Sequence, residues 1–223
     1  MRVAAVIPAW NEGETIGQVA EPARRASLVD DVIVVDNGSS DETAVRALAA
    51  GARVVHQPIP GKGETMATGV AATDAEVIVF LDADLLGLSA EHVDALVRPV
   101  VDGDVDMACG LFDRGPVSNV AYLHALPILT GQRALRRELF EMLSEDDIAG
   151  YRVEAALNSL VNHRHLRRYD VVCDGLWHRT KEEKFSSPMA GFLHKQAMLI
   201  TAIWSYISFA MRHRVVQPLT ARS

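Results

Sequence analysis

Short apolar runs alternate with helical patterns through the first half of the chain. The clearest runs cover residues 3–7, 32–35 and 77–81, a weaker one covers residues 53–56, and the segment 104–111 carries a fifth predicted strand. A continuous apolar run of this length is typical of a strand that is buried on both faces of a parallel sheet. Strands and helices in alternation therefore predict an α/β fold with a mostly parallel, twisted sheet flanked by helices.

Two helices are predicted between the first strands. The first covers residues 14–26, with Pro22 as a kink or break. The second begins with a capping box, in which Ser39 stands three residues before Glu42, and Gly51 ends it.

Ser89 has the side chain of a helix N-cap, and we expect the helix that follows it to end before Pro99. The second half of the chain is less regular. It is predicted to contain helices over residues 132–142 and 151–163, a strand over residues 169–173 and a loop over residues 181–188.

The C-terminal part contains a run without charged residues over positions 196–211. The run is shorter than the 18 or so residues of a membrane-spanning helix. It predicts a core or dimer helix, or alternatively a helix that lies in a membrane surface. We therefore divide the chain into a catalytic domain, residues 1–190, and a C-terminal apolar helix and tail, residues 191–223.

Composition and charge narrow the function classes. The chain has 223 residues, of which 49% are hydrophobic and 23% charged, with a net charge of -7. An acidic protein repels polyphosphate backbones, so no nucleic-acid partner is expected. The two cysteines, Cys109 and Cys173, form no CxxC pair and are expected to be buried free thiols of a reducing cytosol rather than a disulfide.

The apolar stretch at the N-terminus is too short for a signal peptide. We therefore expect a cytoplasmic protein, with peripheral contact at the inner face of the membrane as the alternative that residues 196–211 leave open.

Polar residues follow each strong strand of the predicted sheet, over residues 8–12, 36–41 and 82–84. Ligands of open α/β sheets bind beyond the carboxyl ends of the strands, so these segments are expected to converge. The chain has neither GxGxxG nor GxxxxGK[ST], which argues against a dinucleotide enzyme and a P-loop NTPase.

The pair Asp82 and Asp84 is the sharpest single feature. Mg²⁺ or Mn²⁺ prefers one or two carboxylates together with phosphate oxygens and water, so the pair could hold an ion that bridges to a diphosphate. The alternative is an ordinary acidic turn.

Taken together, these segments resemble the family 2 glycosyltransferases of the GT-A fold. The resemblance lies in four motifs in the same order, VIPAWNE at 6–12, VVDNGSSD at 34–41, GKG at 61–63 and FLDAD at 80–84. The family has a second Asp where Asn37 stands, but the first acidic position, Asp36, is kept.

The resemblance implies a role for each motif. Lys62 would lie near the base or the phosphates, and a divalent ion on Asp84, with Asp82 beside it, would hold the diphosphate. The residues expected to bind the nucleotide sugar are Pro8, Ala9, Trp10, Asn11, Glu12, Asp36, Gly38, Lys62, Asp82, Ala83 and Asp84.

The second half resembles the glucosyl-3-phosphoglycerate synthases and their relatives, and dolichyl-phosphate sugar synthases share part of the pattern. The likeness lies in LTGQRA at 129–134, GYRVE at 150–154 and WHRT at 177–180. It implies acceptor contacts at Gly131, Gln132 and Arg133, catalytic roles for Glu154 and Arg133, and His178 as a further metal ligand.

Three arginines, Arg133, Arg136 and Arg137, form a basic cluster along the predicted helix 132–142. The cluster could recognise an acceptor phosphate, which Arg binds bidentately, or it could be a solvated helix face.

The leading hypothesis is a metal-dependent glycosyltransferase that moves a hexose from a nucleotide diphosphate sugar to a phosphate-bearing small acceptor, with phosphoglycerate as the type. The alternatives are a polyprenyl-phosphate sugar synthase at the membrane surface, a non-catalytic sugar-nucleotide binding protein and a nucleotidyltransferase. Donor, acceptor, stereochemistry and oligomeric state, including a homodimer, stay open.

Overall fold

The computed structural model describes residues 1–113, 130–150 and 152–178. The strands are β1 (Val3–Ala9), β2 (Asp31–Asp36), β3 (Arg53–His56), β4 (Val77–Phe80), β5 (Leu85–Leu86), β6 (Met107–Phe112), β7 (Arg133–Arg136), β8 (Arg168–Cys173) and β9 (Trp177–His178). The helices are α1 (Ile16–Arg25), α2 (Thr43–Ala49), α3 (Lys62–Ala71), α4 (Ala90–Val101), α5 (Arg137–Glu141), α6 (Glu145–Ile148) and α7 (Val153–His163).

Seven strands form the main sheet, in the order β3-β2-β1-β4-β7-β6-β8. The pairs β1–β2, β1–β4, β2–β3 and β6–β8 are parallel, and only β7 runs antiparallel to both of its neighbours. Strands β5 and β9 pair separately in a short antiparallel ribbon. The predicted α/β class and mostly parallel sheet are confirmed.

Helices cover both faces of the main sheet. Side chains of β1 alternate between two apolar layers, with Val3, Ala5 and Ile7 in one layer and Ala4 and Val6 in the other. The first layer includes α1 and α4, and the second includes α3 and α7. Burial on both faces is the reason that β1 is a continuous apolar run.

The predicted capping box of Ser39 and Glu42 is wrong, because α2 begins only at Thr43. The hydroxyl oxygen of Ser39 accepts a hydrogen bond from the backbone N–H of Asn11 at 2.9 Å instead. The start of α2 is held by Asp41, whose Oδ1 accepts from the backbone N–H of Thr43 at 3.0 Å.

Ser89 caps α4 as predicted, and its hydroxyl oxygen accepts from the backbone N–H of His92. The expected end before Pro99 is wrong, since α4 continues to Val101. Helix α1 likewise contains Pro22 in its interior. Both helices bury an apolar face against the sheet, and that packing outweighs the backbone hydrogen bond that an interior proline removes.

The segment after residue 130 differs most from the prediction. Residues 132–142 do not form one helix: Arg133–Arg136 is strand β7, and the short α5 follows it. Strand β7 lies between β4 and β6, where Ala134 and Leu135 are completely buried. Pairing with two strands from elsewhere in the chain overrides the helical propensity of this segment.

Helix α3 was not predicted, and it begins directly at Lys62. It packs on β1 and β2 through Met66, Gly69 and Val70, all of which are buried. Lys62 is therefore the first residue of a helix.

Both cysteines are free and buried, as expected. Burial raises the pKa of Cys173 to about 11, so its thiol is protonated at neutral pH. Among the helices within residues 1–113, 130–150 and 152–178, none is long and apolar enough to cross a membrane. The predicted loop 181–188, the apolar run 196–211 and the domain boundary at 190 lie outside the described residues.

We predict that Gly69→Ala lowers the free energy of unfolding by roughly 1–3 kcal/mol. A Cβ atom at this position would lie 2.3 Å from Cγ1 of Val6 and 3.0 Å from Cγ2 of Val35. Urea unfolding measures the change. The control is Gly17→Ala in α1, whose Cβ would meet nothing within 4 Å, and which gains helix propensity. A Gly69→Ala protein as stable as the wild type would contradict the tight packing of α3.

Candidate active site

The carboxyl ends of β1, β2 and β4 lie side by side at one edge of the sheet. The three strands are parallel neighbours. The segments 8–12, 36–41 and 82–84 follow or end these strands. The structure thus brings together the three polar segments that the sequence predicts to converge.

The first two segments are joined through Asn11. Its backbone N–H donates to the hydroxyl of Ser39 at 2.9 Å, and its Oδ1 accepts from the backbone N–H of Ser40 at 2.8 Å. Asn11 has a φ of 54°, a conformation that Asn tolerates better than most residues. The neighbouring Trp10 is 64% exposed, so this fixed loop presents an open aromatic face beside the site.

A second connection runs through Asp41, which accepts from the backbone N–H of Gly13 at 2.9 Å and from Thr43. Burial works against the charge of Asp41, but the hydrogen bonds from Thr43 and Gly13 outweigh it and hold its pKa below the ordinary value. The backbone N–H of Glu12 donates to Thr43 Oγ1 at 2.8 Å. Glu12 and Asn11 therefore belong to a rigid, interlocked edge.

Asp36 ends β2, and its side chain is almost completely buried. Its Oδ1 accepts from the backbone N–H of Ser39 at 3.1 Å, and its Oδ2 lies 3.3 Å from Nδ1 of His56. Gly38 has a φ of 76°, which lets the chain turn between Asp36 and Ser39. Pro8 and Ala9 are the last residues of β1, directly beside this turn.

Asn37 holds the loop between β3 and α3. Its side-chain amide donates to the carbonyls of Gln57 at 2.9 Å and Ile59 at 2.8 Å, and its Oδ1 accepts from the backbone N–H of Gly61 at 3.1 Å. A carboxylate in this place could not donate to the two carbonyls. Asn37, which stands where the family has a second Asp, therefore holds this loop through hydrogen bonds that an Asp could not donate. The loop leads into Lys62.

Lys62 joins two of the predicted site residues. Its Nζ donates to Oδ1 of Asp82 at 2.7 Å and to Oε1 of Glu154 at 2.6 Å. The three side chains are largely buried, with 20%, 26% and 13% of their surfaces exposed, respectively. A motif after β4, the start of α3 and the start of α7 meet in this contact.

The charge of Lys62 is strongly stabilised. Burial alone would lower its pKa, but the negative charges of Asp82 and Glu154 and the hydrogen bonds to them raise the pKa well above its ordinary value. Lys62 therefore carries its positive charge throughout the neutral pH range and loses this charge only at strongly alkaline pH.

Two residues of the predicted acceptor loop contact Asp82. Gln132 is 1% exposed, and its Nε2 donates to Oδ2 of Asp82 at 2.8 Å. A Cβ atom on Gly131 would lie only 2.1 Å from the same oxygen, so the backbone at Gly131 packs directly against the carboxylate. Both oxygens of Asp82 are thus held by the protein.

Arg133 is completely buried in β7. Its Nε donates to the carbonyl of Thr130 at 3.2 Å, and its Nη1 donates to the carbonyl of Glu154 at 3.3 Å. Arg136 and Arg137 lie at the opposite edge of the sheet, since Arg136 pairs with the first residue of β4. The predicted basic cluster along one helix is therefore wrong, because β7 separates its members.

Asp84 and His178 are brought together by the β5–β9 ribbon. His178 pairs with Leu85, the residue after Asp84, and Nδ1 of His178 is buried without a hydrogen-bond partner. Within the described part of the chain, no group of three or more His, Cys, Asp or Glu residues is arranged to hold a metal. A buried imidazole nitrogen without a hydrogen-bond partner, on a residue that pairs with the neighbour of Asp84, nevertheless fits an ion that takes its other ligands from a diphosphate and water.

Comparison with known proteins identifies the family. The model of glycosyl transferase family 2 matches residues 4–158 of the chain. The chain belongs to this family. An uncharacterized glycosyltransferase of Mycobacterium bovis is 33% identical over 153 residues, which are 68% of this chain and 66% of that protein.

The chain is also similar to glucosyl-3-phosphoglycerate synthases. That of Mycolicibacterium smegmatis is 42% identical over 123 residues, 50% of this chain. The matched part spans only 41% of the length of that relative. The crystal structure of the Mycobacterium tuberculosis enzyme with Mn²⁺, uridine-diphosphate-glucose and phosphoglyceric acid has a TM-score of 0.76 at 31% identity, and covers 93% of this chain and 79% of that one.

Sequence reasoning missed several contacts at this site. It noted Asn37 only as a departure from the family pattern, and it assigned Gln132 to the acceptor rather than to Asp82. The amide at position 37 was the available signal, because an amide can donate where a carboxylate cannot. The contacts of Gln132 and Arg133 had no local signal, since their partners come from distant segments.

We predict that Asn37→Asp lowers the free energy of unfolding by about 1–3 kcal/mol at pH 7, the value of two lost hydrogen bonds. Urea unfolding measures the loss. It should shrink at acidic pH, where a protonated carboxyl can donate one of the two bonds again. Asn162→Asp, at an exposed position of α7, is the matched control. Equal stability of the two variants at pH 7 would show that Asn37 does not hold the loop.

Proposed function

We propose that this chain is a metal-dependent glycosyltransferase that moves a hexose from a nucleotide diphosphate sugar to a phosphate-bearing small acceptor of the phosphoglycerate type. The observation that carries the proposal is the contact of Lys62 with Asp82 and Glu154. Three residues to which the family resemblance gives donor or sugar roles meet there within hydrogen-bond distance. The complexes of the similar mycobacterial enzyme support the choice of donor and acceptor.

Asp84 and His178 would hold a Mg²⁺ or Mn²⁺ ion, with Asp82 beside it. Such an ion supplies charge stabilisation for the leaving nucleoside diphosphate. Structures of the similar enzyme with Mg²⁺ and uridine-diphosphate support this choice of metal. The buried Nδ1 of His178 is the feature of this chain that supports it.

The remaining roles follow from position at the sheet edge. Asp36, Gly38 and the segment 8–12 would bind the base and ribose, because they form the interlocked edge beside β2. Lys62 would place its ammonium group where negative charge develops on the diphosphate. Glu154 would face the transferred sugar.

The acceptor roles of Gly131, Gln132 and Arg133 are part of the same proposal. Gln132 and Arg133 are buried, so they would act by holding Asp82 and the backbone of Glu154 rather than by direct contact. Gly131 would contribute in the same way, because the absence of a side chain lets the backbone of this loop pack directly against the carboxylate of Asp82.

The membrane alternative depends on residues 196–211, which lie outside the described residues. A polyprenyl-phosphate acceptor, peripheral membrane contact, a homodimer and a cytoplasmic location therefore stay predictions.

We predict that Asp84→Asn weakens binding of the donor in the presence of Mn²⁺ by at least about 100-fold, and that His178→Ala weakens it by about tenfold. Isothermal titration calorimetry with uridine-diphosphate-glucose and Mn²⁺ measures both effects. Asp102→Asn, an exposed carboxylate at the end of α4, is the control and should bind as the wild type does. Unchanged affinity in Asp84→Asn would refute the metal site.

Turnover is tested by a screen of donors against phosphate-bearing acceptors that reports released nucleoside diphosphate. Donor- and acceptor-dependent release is expected, and it should disappear on chelation of the metal. Donor binding without release, across all acceptors, would favour a non-catalytic binding protein, and release of pyrophosphate from a nucleoside triphosphate would favour a nucleotidyltransferase.

A further inference from the structure

The first turn of α3 and the turn before α7 are joined at Gly150. The backbone N–H of Gly63 donates to the Gly150 carbonyl at 2.9 Å. The backbone N–H of Gly150 donates to the carboxylate of Glu64, at 3.1 Å from Oε2 and 3.3 Å from Oε1. Both backbone groups of Gly150 are therefore bound to α3, an arrangement that we name the Gly150 clasp.

The glycines beside Lys62 make room for this clasp. A Cβ atom on Gly63 would lie 1.5 Å from the carbonyl oxygen of Ile148. A Cβ atom on Gly61 would lie 1.9 Å from Oε2 of Glu64. The close approach that these glycines permit is thus an approach of the protein to itself.

The Gly150 clasp lies close in sequence to both Lys62 and Glu154. Lys62 precedes Gly63 directly, and Glu154, the second residue of α7, follows Gly150 by four residues. We propose that Glu64 is a positioning residue, which sets the start of α7 against α3 so that Glu154 reaches Lys62. The importance of this for transfer rests on the proposed function, but the contact itself does not.

A competing explanation is that Glu64 serves only α3. A negative charge in the first turn of a helix is stabilised by the helix dipole, whatever else the side chain contacts. The two explanations differ in what they require of the side chain. The dipole requires its charge, whereas the clasp requires its length and an acceptor oxygen.

Two conservative variants separate these requirements. Glu64→Asp keeps the charge but is one methylene shorter, so the carboxylate no longer reaches Gly150. Glu64→Gln loses the charge but keeps an oxygen at the same reach. In each background, a double-mutant cycle with Lys62→Met and Glu154→Gln, measured by urea unfolding, gives the coupling between Lys62 and Glu154.

We expect the coupling to fall by more than about half in Glu64→Asp and to stay near the wild-type value in Glu64→Gln. The reverse result would assign Glu64 to the helix dipole and overturn the proposal. Wild-type coupling in both variants, or an equal loss in both, would also overturn the proposal. In either case the coupling would not depend on the length of the side chain at position 64. Glu91→Asp and Glu91→Gln, in the first turn of α4, are matched controls and should leave the coupling unchanged.

Kinetics provide the second readout. We expect kcat to fall about tenfold or more in Glu64→Asp, with the KM for donor within about twofold, because a misplaced group costs rate more than binding. Glu64→Gln should restore most of kcat. If no donor and acceptor support turnover while the coupling follows reach, the proposed function fails and the positioning role stands. If turnover is found and the coupling ignores reach, the positioning role fails alone.

Discussion

The ammonium group of Lys62 connects three parts of the chain that are distant in sequence. It binds Asp82 after β4 and Glu154 in α7, and it stands at the first residue of α3. A largely buried charge is costly unless it is paired and hydrogen-bonded. The positions of β4, α3 and α7 relative to one another are therefore constrained together, and a displacement of any one would leave a buried charge without its partner.

Glycines and side-chain amides near this contact fix the positions of the segments that form it. Gly131 lets the backbone approach the carboxylate of Asp82, and Gly63 lets α3 approach the turn before α7. The side-chain amide of Asn37 donates hydrogen bonds to two backbone carbonyls, and that of Gln132 donates one to the carboxylate of Asp82. The site is preorganised by contacts within the chain, so a bound donor would not have to order these groups itself.

The balance of charge at the sheet edge agrees with the proposed chemistry. The three carboxylates of Asp82, Asp84 and Glu154 outnumber the two cations described here, the ammonium of Lys62 and the buried guanidinium of Arg133. An excess of negative charge suits a divalent ion, and the ion in turn makes an acidic protein compatible with a diphosphate. The chain belongs to glycosyl transferase family 2, and its match spans 41% of the length of the synthase of Mycolicibacterium smegmatis.

The sequence by itself determined the α/β class, the parallel strands β1 to β4, the convergence of their polar ends and the family. These depend on local signals: an apolar run reports burial on both faces, and the residues after it report the strand end. Only the tertiary structure decided that Arg133 is a buried strand residue, that α3 begins at Lys62 and that Gln132 holds Asp82. Strand β7 shows the reason, because its segment has helical propensity of its own and becomes a strand only through pairing with β4 and β6. Pairing and burial depend on partners that are distant along the chain, and no local pattern specifies them.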